Sequence, residues 1–590
     1  MDFTWKIGGE AGFGIMTTGL VFSKIATRYG YNIFDYIKYP SLIRGGHNSY
    51  EVRVSSKLIF QLKLNVEVLI CLNKETLDKN TKFLADESIV IYDEEDFEIV
   101  DMNFIKVSVP FEEIIAKLKG QSIMKNTIAL GASLAILGAD LEELFKIFDE
   151  QFKKKGQEVI DFNKKFAQEG FDHVQKNYKK NIKSCLTKKP FDSFDKAQDK
   201  STQGKLVLTG NDAFSLGAVI ADCRFYVAYP MTPSSSVLTN LALWQDKVGM
   251  VVRHAEDEIS VINTAIGSSF AGVRSSVGTS GGGFALMVET ISLAGITETP
   301  LVIFLAQRPG PATGMPTWTE QGDLLFAVNS GHGEFPKIVL APGDVEEMLE
   351  LTLESFNLAD IYQTPVIVMS DMLLSEAHQS VEKKFFDSLV VNYKVERGKI
   401  KDSSFAKASA DKQKYLRYQI TDDGISPRLL PGTPGYFYQA NSYEHLEDGH
   451  TTEDDKERVK QVDKRARKMT GFLANHFKTP KIYGDIDQAE IVFVAWGSSK
   501  GSILEAQKIL ESQGKKTAMI HFTYLYPMDK EKVGKIFENN KRYILVENNS
   551  EGQFGKLLAA ETGVIIEEKI LKYSGRPIWS EEIVNKTVKY

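Results

Sequence analysis

From residue 205 to 375 the chain repeats one pattern: a short apolar run, a turn rich in Gly, Ser, Thr or Pro, then an amphipathic stretch. The runs fall at 206–208, 226–228, 275–277, 301–306, 338–340 and 365–368, with helix-like spacing between them. Short apolar runs alternating with helices are the mark of strands buried on both faces, so the segment predicts an α/β fold with a mostly parallel sheet. Asp344 and Glu347 stand as a capping box for a helix reaching about Leu358. A similar rhythm opens the chain, where Phe3-Thr-Trp-Lys-Ile7 leads through Gly8-Gly-Glu-Ala-Gly-Phe-Gly14 into a helix, and it returns after 486 with runs at 491–494, 518–520 and 543–546.

A chain of 590 residues exceeds what one hydrophobic core supports, so several domains are expected. The boundaries read as an α/β domain at 1–185, a linker insertion at 186–204, a second α/β domain at 205–380, an irregular connecting segment at 381–485, and a third compact domain at 486–590. A second insertion, at 402–413, shares with the first the skeleton Ser-Phe-x-Lys-Ala followed by Asp-Lys.

Composition excludes several functions. No stretch approaches the ~18 apolar residues of a membrane span, and the first residues lack the signal-peptide pattern, so a cytoplasmic address is expected. A net charge of −7 gives no basic face for nucleic acid. Cys71, Cys185 and Cys223 are too widely separated for a CxxC zinc site or a four-cysteine cluster. An electron-transfer centre therefore belongs on another polypeptide.

Four segments carry chemistry. In Tyr229-Pro-Met-Thr-Pro-Ser-Ser235 a strand end meets a helix start, with Thr232 expected as N-cap, Pro233 in the first helical position, and free N–H groups at Ser234 and Ser235 forming an anion pocket. Arg253-His-Ala-Glu-Asp-Glu258 precedes a helix with Ile259, Ile262, Ile266 and Phe270 on one face, which puts Glu258 at its N-terminus. Gly278-Thr-Ser-Gly-Gly-Gly283 links a strand to a helix, and Gln307-Arg-Pro-Gly-Pro-Ala-Thr-Gly-Met-Pro-Thr317 places Arg308 where it can grip a carboxylate with two parallel hydrogen bonds. Taken singly, each also reads as ordinary helix capping or a surface ion pair. His445 and His450 lie in a polar loop with no supporting metal chemistry, and no metal ligand is assigned.

These segments, in this order and spacing, resemble the pyrimidine-binding domain of the 2-oxoacid:ferredoxin oxidoreductases, in the fused γ–α form found in 2-oxoglutarate-type relatives. The resemblance implies a γ domain at the N-terminus, a thiamine-diphosphate-fold domain with a parallel sheet in the middle, and a transketolase-C-like domain at the end. By the same resemblance Glu258 is the catalytic glutamate that hydrogen-bonds the aminopyrimidine N1′, with Glu256 as its alternative. Pro230, Gly281 and Gly282 contact the cofactor, and Thr232, Arg308, Thr317, Tyr229 and Pro230 hold the 2-oxoacid. Arg44, in Tyr39-Pro-Ser-Leu-Ile-Arg-Gly-Gly-His-Asn-Ser49, matches a basic position that contacts substrate in some relatives.

The resemblance further implies oxidative decarboxylation of a 2-oxoacid to acyl-CoA and CO2, with coenzyme A as co-substrate and electrons passing to ferredoxin. No Gly-Asp-Gly segment followed by paired Asn occurs; the nearest strings are Gln321-Gly-Asp323 and Pro342-Gly-Asp344. The Mg2+–diphosphate site and a [4Fe-4S] cluster are thus expected on a β subunit, in a (γα)2β2 assembly. A non-redox transketolase- or acetolactate-synthase-like subunit and a non-catalytic nucleotide-binding or assembly module stand as the other readings. The 2-oxoacid itself is left open among pyruvate, 2-oxoglutarate and branched or aromatic 2-oxoacids.

Overall fold

A computed structural model describes residues 1–41, 46–100, 102–188, 204–401, 415–539 and 541–588. The insertion near 191–200, the one at 402–413, and Arg44 lie outside them. Two compact units emerge, one of residues 1–208, 376–387 and 579–585, the other of residues 209–375, 388–578 and 586–590.

The first unit is built on strands β1 (Asp2–Glu10), β2 (Asn32–Lys38), β3 (His47–Ser55), β4 (Val68–Cys71), β5 (Ile89–Tyr92), β6 (Ile105–Ser108), β7 (Lys205–Leu208) and β14 (Gln379–Glu382). They form one eight-stranded sheet in the order β6-β5-β4-β1-β3-β2-β14-β7. Pairing is parallel from β1 to β6 and antiparallel from β1 to β7. Helix α1 (Ile15–Arg28) covers the sheet, with Phe22 stacked on Trp5 at 4.3 Å, while α2 (Lys125–Ile136) and α3 (Gln157–Asn177) pack on each other. One structural surprise lies at the sheet's end. The run at 206–208, expected in the second domain, instead joins this first sheet as β7, paired with β14 from the segment expected to be irregular. Asp35, fully buried on β2, ties the returning chain down: its carboxylate accepts from Ser23 Oγ (2.9 Å), Tyr50 OH (2.6 Å) and the His378 backbone N–H (2.8 Å).

The second unit holds two sheets. The larger contains β8 (Phe225–Ala228), β9 (Val251–His254), β10 (Ser275–Thr279), β11 (Leu301–Gln307), β12 (Ile338–Leu340), β13 (Pro365–Asp371) and β18 (Tyr524–Tyr526), in the order β18-β12-β13-β11-β10-β8-β9. All pairs are parallel except β12–β18, as the buried apolar runs require. Helices α4 (Ser235–Val248), α5 (Glu258–Phe270), α6 (Gly281–Ile296) and α7 (Val345–Tyr362) connect its strands. The smaller sheet has the order β15-β17-β16-β19-β20, from β15 (Lys481–Tyr483), β16 (Ile491–Trp496), β17 (Thr517–Phe522), β19 (Arg542–Glu547) and β20 (Glu568–Leu571).

Two expectations are corrected here. The charged stretch at 450–468 is not irregular: Asp454 caps a helix, α8 (Asp455–Asn475), by accepting from the N–H groups of Lys456 and Glu457. Its buried positions are Gln461, Lys464, Arg465, Lys468 and Phe472, one face at helical period made almost wholly of polar side chains. On α5, Ile262 and Ile266 are buried with Val261 and Ala265, but Ile259 is 52% exposed, so the apolar face begins after it.

The buried face of α8 is satisfied by Glu298, which sits past the end of α6 with a left-handed φ of 51°. Lys464 and Lys468 reach its two carboxylate oxygens at 2.6 and 2.7 Å, and Arg417 donates to its backbone carbonyl at 2.9 Å. Burial works to raise the Glu298 carboxyl, and Lys464, Lys468 and Arg417 overcome it, holding it well below the usual carboxylate range. Removing one member of such a buried group strands the other charges. Glu298→Gln is therefore expected to destabilise the second unit by about 3–5 kcal/mol, read as a lowered denaturation midpoint with unchanged slope, while replacing Glu298, Lys464 and Lys468 together by apolar residues recovers most of the loss.

Candidate active site

The parallel strands β8 to β11 end at one edge of the larger sheet, the place where open α/β sheets expose loops and helix N-termini to a ligand. Each of the four sequence segments lies there. After β9, Asp257 caps α5 through Ser260 N–H (2.7 Å), and Glu258 becomes the first helical residue. Glu258 is only 4% exposed, and its Oε1 is buried with no hydrogen-bond partner. Burial, helped by Asp257, raises its carboxyl above the ordinary value, against the pull of its own backbone N–H. The first turn of α6 approaches it closely. A Cβ on Gly283 would stand 2.4 Å from Glu258 Oε1 and 2.2 Å from Thr279 Oγ1, so only glycine leaves room for the carboxyl. Glu256, by contrast, is exposed.

The loop after β8 differs from the expected helix cap. Thr232–Pro233 is a cis peptide within a turn closed by Ser234 N–H donating to the Met231 carbonyl at 2.9 Å, and α4 starts only at Ser235. Thr232 is thus not the N-cap, nor Pro233 the first helical residue, and the Ser234 N–H is already used. What the turn presents instead is the Thr232 carbonyl, which accepts from Arg308 Nη1 at 2.8 Å. Thr232 and Arg308 are brought together through this bond. Tyr229 and Pro230 are exposed beside them, Gly281 is half-buried, Gly282 is exposed, and Thr317 is buried at 4% exposure.

The long loop from Arg308 is fixed at its far end by the smaller sheet's domain. Gln321 exchanges backbone and side-chain bonds with Asn548 (2.8 and 2.9 Å), its Nε2 donates to the Trp496 carbonyl (3.0 Å), and its own carbonyl accepts from Asn549 Nδ2 (3.0 Å). Glu547, fully buried, accepts in turn from Asn549 Nδ2, Phe554 N–H and Gly555 N–H. Within the loop the Arg576 guanidinium lies 3.1 Å from the centre of the Trp318 ring.

Beyond the expected residues, the same edge gathers buried polar atoms without a partner: Asn211 Oδ1, Tyr226 OH, Ser280 Oγ and Asp323 Oδ2 join Glu258 Oε1. Buried polar groups in folded proteins are nearly always bonded, so these atoms leave unused hydrogen-bonding capacity beside Glu258. Asp323 had one sequence signal, its position in Gln321-Gly-Asp323, legible there only as a failed diphosphate motif. His445 and His450 form no site: His445 is buried against the Tyr418 ring at 3.9 Å, and His450 is exposed. Among the described residues there is no cluster of three or more metal-ligating side chains, and no helix is long and apolar enough to cross a membrane.

Comparison with known proteins gives the family. The chain matches the family described as pyruvate ferredoxin/flavodoxin oxidoreductase over residues 4–173, the thiamine-diphosphate-binding family of pyruvate flavodoxin/ferredoxin oxidoreductases over 216–464, and the transketolase C-terminal domain over 483–571. It is 31% identical to the 2-oxoacid:ferredoxin oxidoreductase subunit alpha of Saccharolobus solfataricus, covering 99% of this chain and 97% of that one. It is 32% identical to subunit alpha of the 2-oxoacid:ferredoxin oxidoreductase 2 of Aeropyrum pernix, covering 99% and 97%. A solved structure of the 2-oxoglutarate:ferredoxin oxidoreductase from Magnetococcus marinus, with 2-oxoglutarate, coenzyme A and succinyl-CoA bound, superposes with a TM-score of 0.88 at 30% identity, over 100% of this chain and 99% of that one. With identity above 30% along essentially its whole length, and with a γ-like domain, a thiamine-diphosphate-binding domain and a transketolase C-terminal domain in order, the chain belongs to the 2-oxoacid:ferredoxin oxidoreductase α subunits.

Proposed function

We propose that this chain is the fused γ–α subunit of an enzyme that oxidatively decarboxylates a 2-oxoacid to acyl-CoA and CO2, passing electrons to ferredoxin through a partner β subunit. The observation that carries the reading is Glu258: a buried carboxyl with a raised proton affinity and one oxygen left unbonded, at the start of a helix and against a turn that admits only glycine. Those features fit an aminopyrimidine nitrogen as the missing partner. When bound, thiamine diphosphate supplies an acidic ring carbon that adds to the 2-oxoacid's carbonyl and an electron sink for the electrons released with CO2.

The chain's own residues do the rest. Glu258 holds a proton toward N1′ of the aminopyrimidine, in a site where desolvation keeps that proton shared rather than lost to water. Gly282 leaves an approach free of side-chain bulk, and Pro230 and Gly281 are proposed to border the ring beside it. Arg308 and Thr232 grip the substrate's carboxylate, with the guanidinium oriented by the Thr232 carbonyl, and Thr317 lies in the same loop. Tyr229 borders the mouth, and Arg44 is proposed as a further substrate contact on the family resemblance alone. No segment of this chain has the diphosphate-binding pattern, which supports a β subunit bearing the Mg2+–diphosphate site and a [4Fe-4S] cluster, in a (γα)2β2 assembly with coenzyme A as co-substrate. The apolar side chains exposed around the site, Tyr229, Ile259 and Leu286, support a partner on that face. The proposed domain limits are a γ domain at 1–185, a pyrimidine-binding domain at 205–380, whose flanking strands β7 and β14 join the first sheet, and a transketolase-C-like domain at 486–590.

Coexpression with the β subunit followed by coenzyme-A-dependent dye reduction over a panel of 2-oxoacids tests the proposal directly. Reduction with at least one 2-oxoacid is expected, and none with any would end it. In the assembled enzyme Glu258→Gln is expected to lower turnover by at least about 100-fold without disturbing assembly. Gly283→Ala, which forces the Glu258 carboxyl to move, should lower turnover in the same direction. Arg308→Lys is expected to raise KM for the 2-oxoacid by about 10–100-fold with a smaller change in kcat, measured by steady-state kinetics.

A further inference from the structure

Opposite Glu258, the first turn of α6 meets a second carboxyl. Asp323 stands at the other end of the Arg308 loop; its backbone N–H donates to Gln307 Oε1 at 3.0 Å, which turns the side chain toward the glycines. A Cβ on Gly281 would lie 2.5 Å from Asp323 Oδ2, and that oxygen is buried without a hydrogen-bond partner. Among the described residues Arg308 is the cation that bears on it, without a direct ion pair: its Nη1 is committed to the Thr232 carbonyl. The other charge nearby is Glu320, in the same loop. The facing turn, Gly281 to Gly283, and Gln307 bring no charge of their own.

We propose that Asp323 is a positioning residue for Arg308 that takes up a proton from solvent when the 2-oxoacid's carboxylate reaches that guanidinium. The inference rests on the functional reading above. Among the described residues the Arg308 charge is what compensates the half-buried Asp323 carboxylate, whose buried Oδ2 has no hydrogen bond. A substrate carboxylate that pairs with Arg308 neutralises that charge and adds a second anion, leaving Asp323 between two negative groups and without a cation. Protonation removes the conflict, and the new O–H gives the orphaned oxygen a hydrogen to donate. Arg308 is then released from one acid and committed to the other. Burial already raises the Asp323 carboxyl to about 6, with Arg308 holding it down, so the exchange falls within the working range of most enzymes.

The sign follows from linkage. Binding that favours the protonated form weakens as pH rises, so KM should climb by up to about tenfold per pH unit above about pH 6, while kcat moves less. The 2-oxoacid's own carboxyl is ionised throughout and adds nothing to that slope.

The test uses the assembled enzyme with saturating coenzyme A, with kcat and KM measured from about pH 5.5 to 8.5. Asp323→Asn is expected to flatten the KM profile to within about twofold, and Asp323→Glu to keep the slope with a displaced midpoint. Calorimetry of 2-oxoacid binding to the assembled Glu258→Gln enzyme, in two buffers of different ionisation enthalpy, should show net proton uptake, and the doubly substituted Glu258→Gln, Asp323→Asn enzyme none. If Asp323→Asn fails to assemble, the wild-type profile and the Glu258→Gln calorimetry still decide. Binding without proton uptake, or a slope that survives Asp323→Asn, overturns the role of Asp323 alone. Absence of binding by any 2-oxoacid at any pH overturns it together with the functional reading.

Discussion

The candidate site depends on one costly arrangement: a carboxyl buried with an unbonded oxygen in the first turn of a helix. Leaving a buried acceptor unsatisfied costs roughly 1–3 kcal/mol, and here the surroundings are arranged so that the chain cannot relieve it. Asp257 takes the capping role that Glu258 would otherwise fill, and Gly283 lets the neighbouring helix pack against the carboxyl without offering it a side chain. The parallel sheet sets where those two helix starts meet, because β9 and β10 both end at the same edge. Fold and site are therefore joined at the level of strand order.

A second dependency runs between the two sheets of the larger unit. The loop bearing Arg308 and Asp323 has few partners within its own domain and many in the next, through Gln321, Asn548, Asn549 and the Trp496 carbonyl. Lys500, bonded to Asp344 and Glu347 at 2.5 and 2.8 Å, joins the same domain to the start of α7. The smaller sheet thus anchors the far end of a loop whose near end, Arg308, follows directly on β11 and is held by the Thr232 carbonyl. A buried network of this kind is rigid when every member is satisfied, which is what a residue gripping substrate requires.

Where apolar periodicity decided the structure, it was legible in the sequence. Strands β8 and β10 to β13 and the helix starts at Glu258 and Gly281 stand where burial on both faces and Gly-rich turns place them, while β9, largely exposed, is not among the expected runs. Helix α8 escaped because its buried face is Gln461, Lys464, Arg465 and Lys468, whose burial is satisfied by Glu298 and Glu444 far away in sequence. A search for hydrophobic period cannot see a stripe of charges whose partners are tertiary. Thr232 misled for a related reason: the dipeptide Thr-Pro carries a strong local preference for a helix start, and the surrounding turn overrode it with a cis peptide. Asp323 is not legible in the sequence because its meaning lies in its tertiary neighbours, Gly281 and Arg308, and the sequence records neighbours along the chain only.

The strands β7 and β14 lie side by side and antiparallel, as in a hairpin, yet the connection from Leu208 to Gln379 is the entire parallel-sheet domain. Closing an unstructured loop of about 170 residues costs close to 5 kcal/mol by chain statistics, far more than a two-residue turn. Most of that cost disappears once the inserted domain has formed, since its own packing brings Gly210 against the Leu374 carbonyl and so returns the two ends of the loop to one place. The edge of the first sheet is in this sense a report on the state of the domain threaded through it: those last two strands gain their register cheaply only after the segment that carries Glu258 and Arg308 has found its fold.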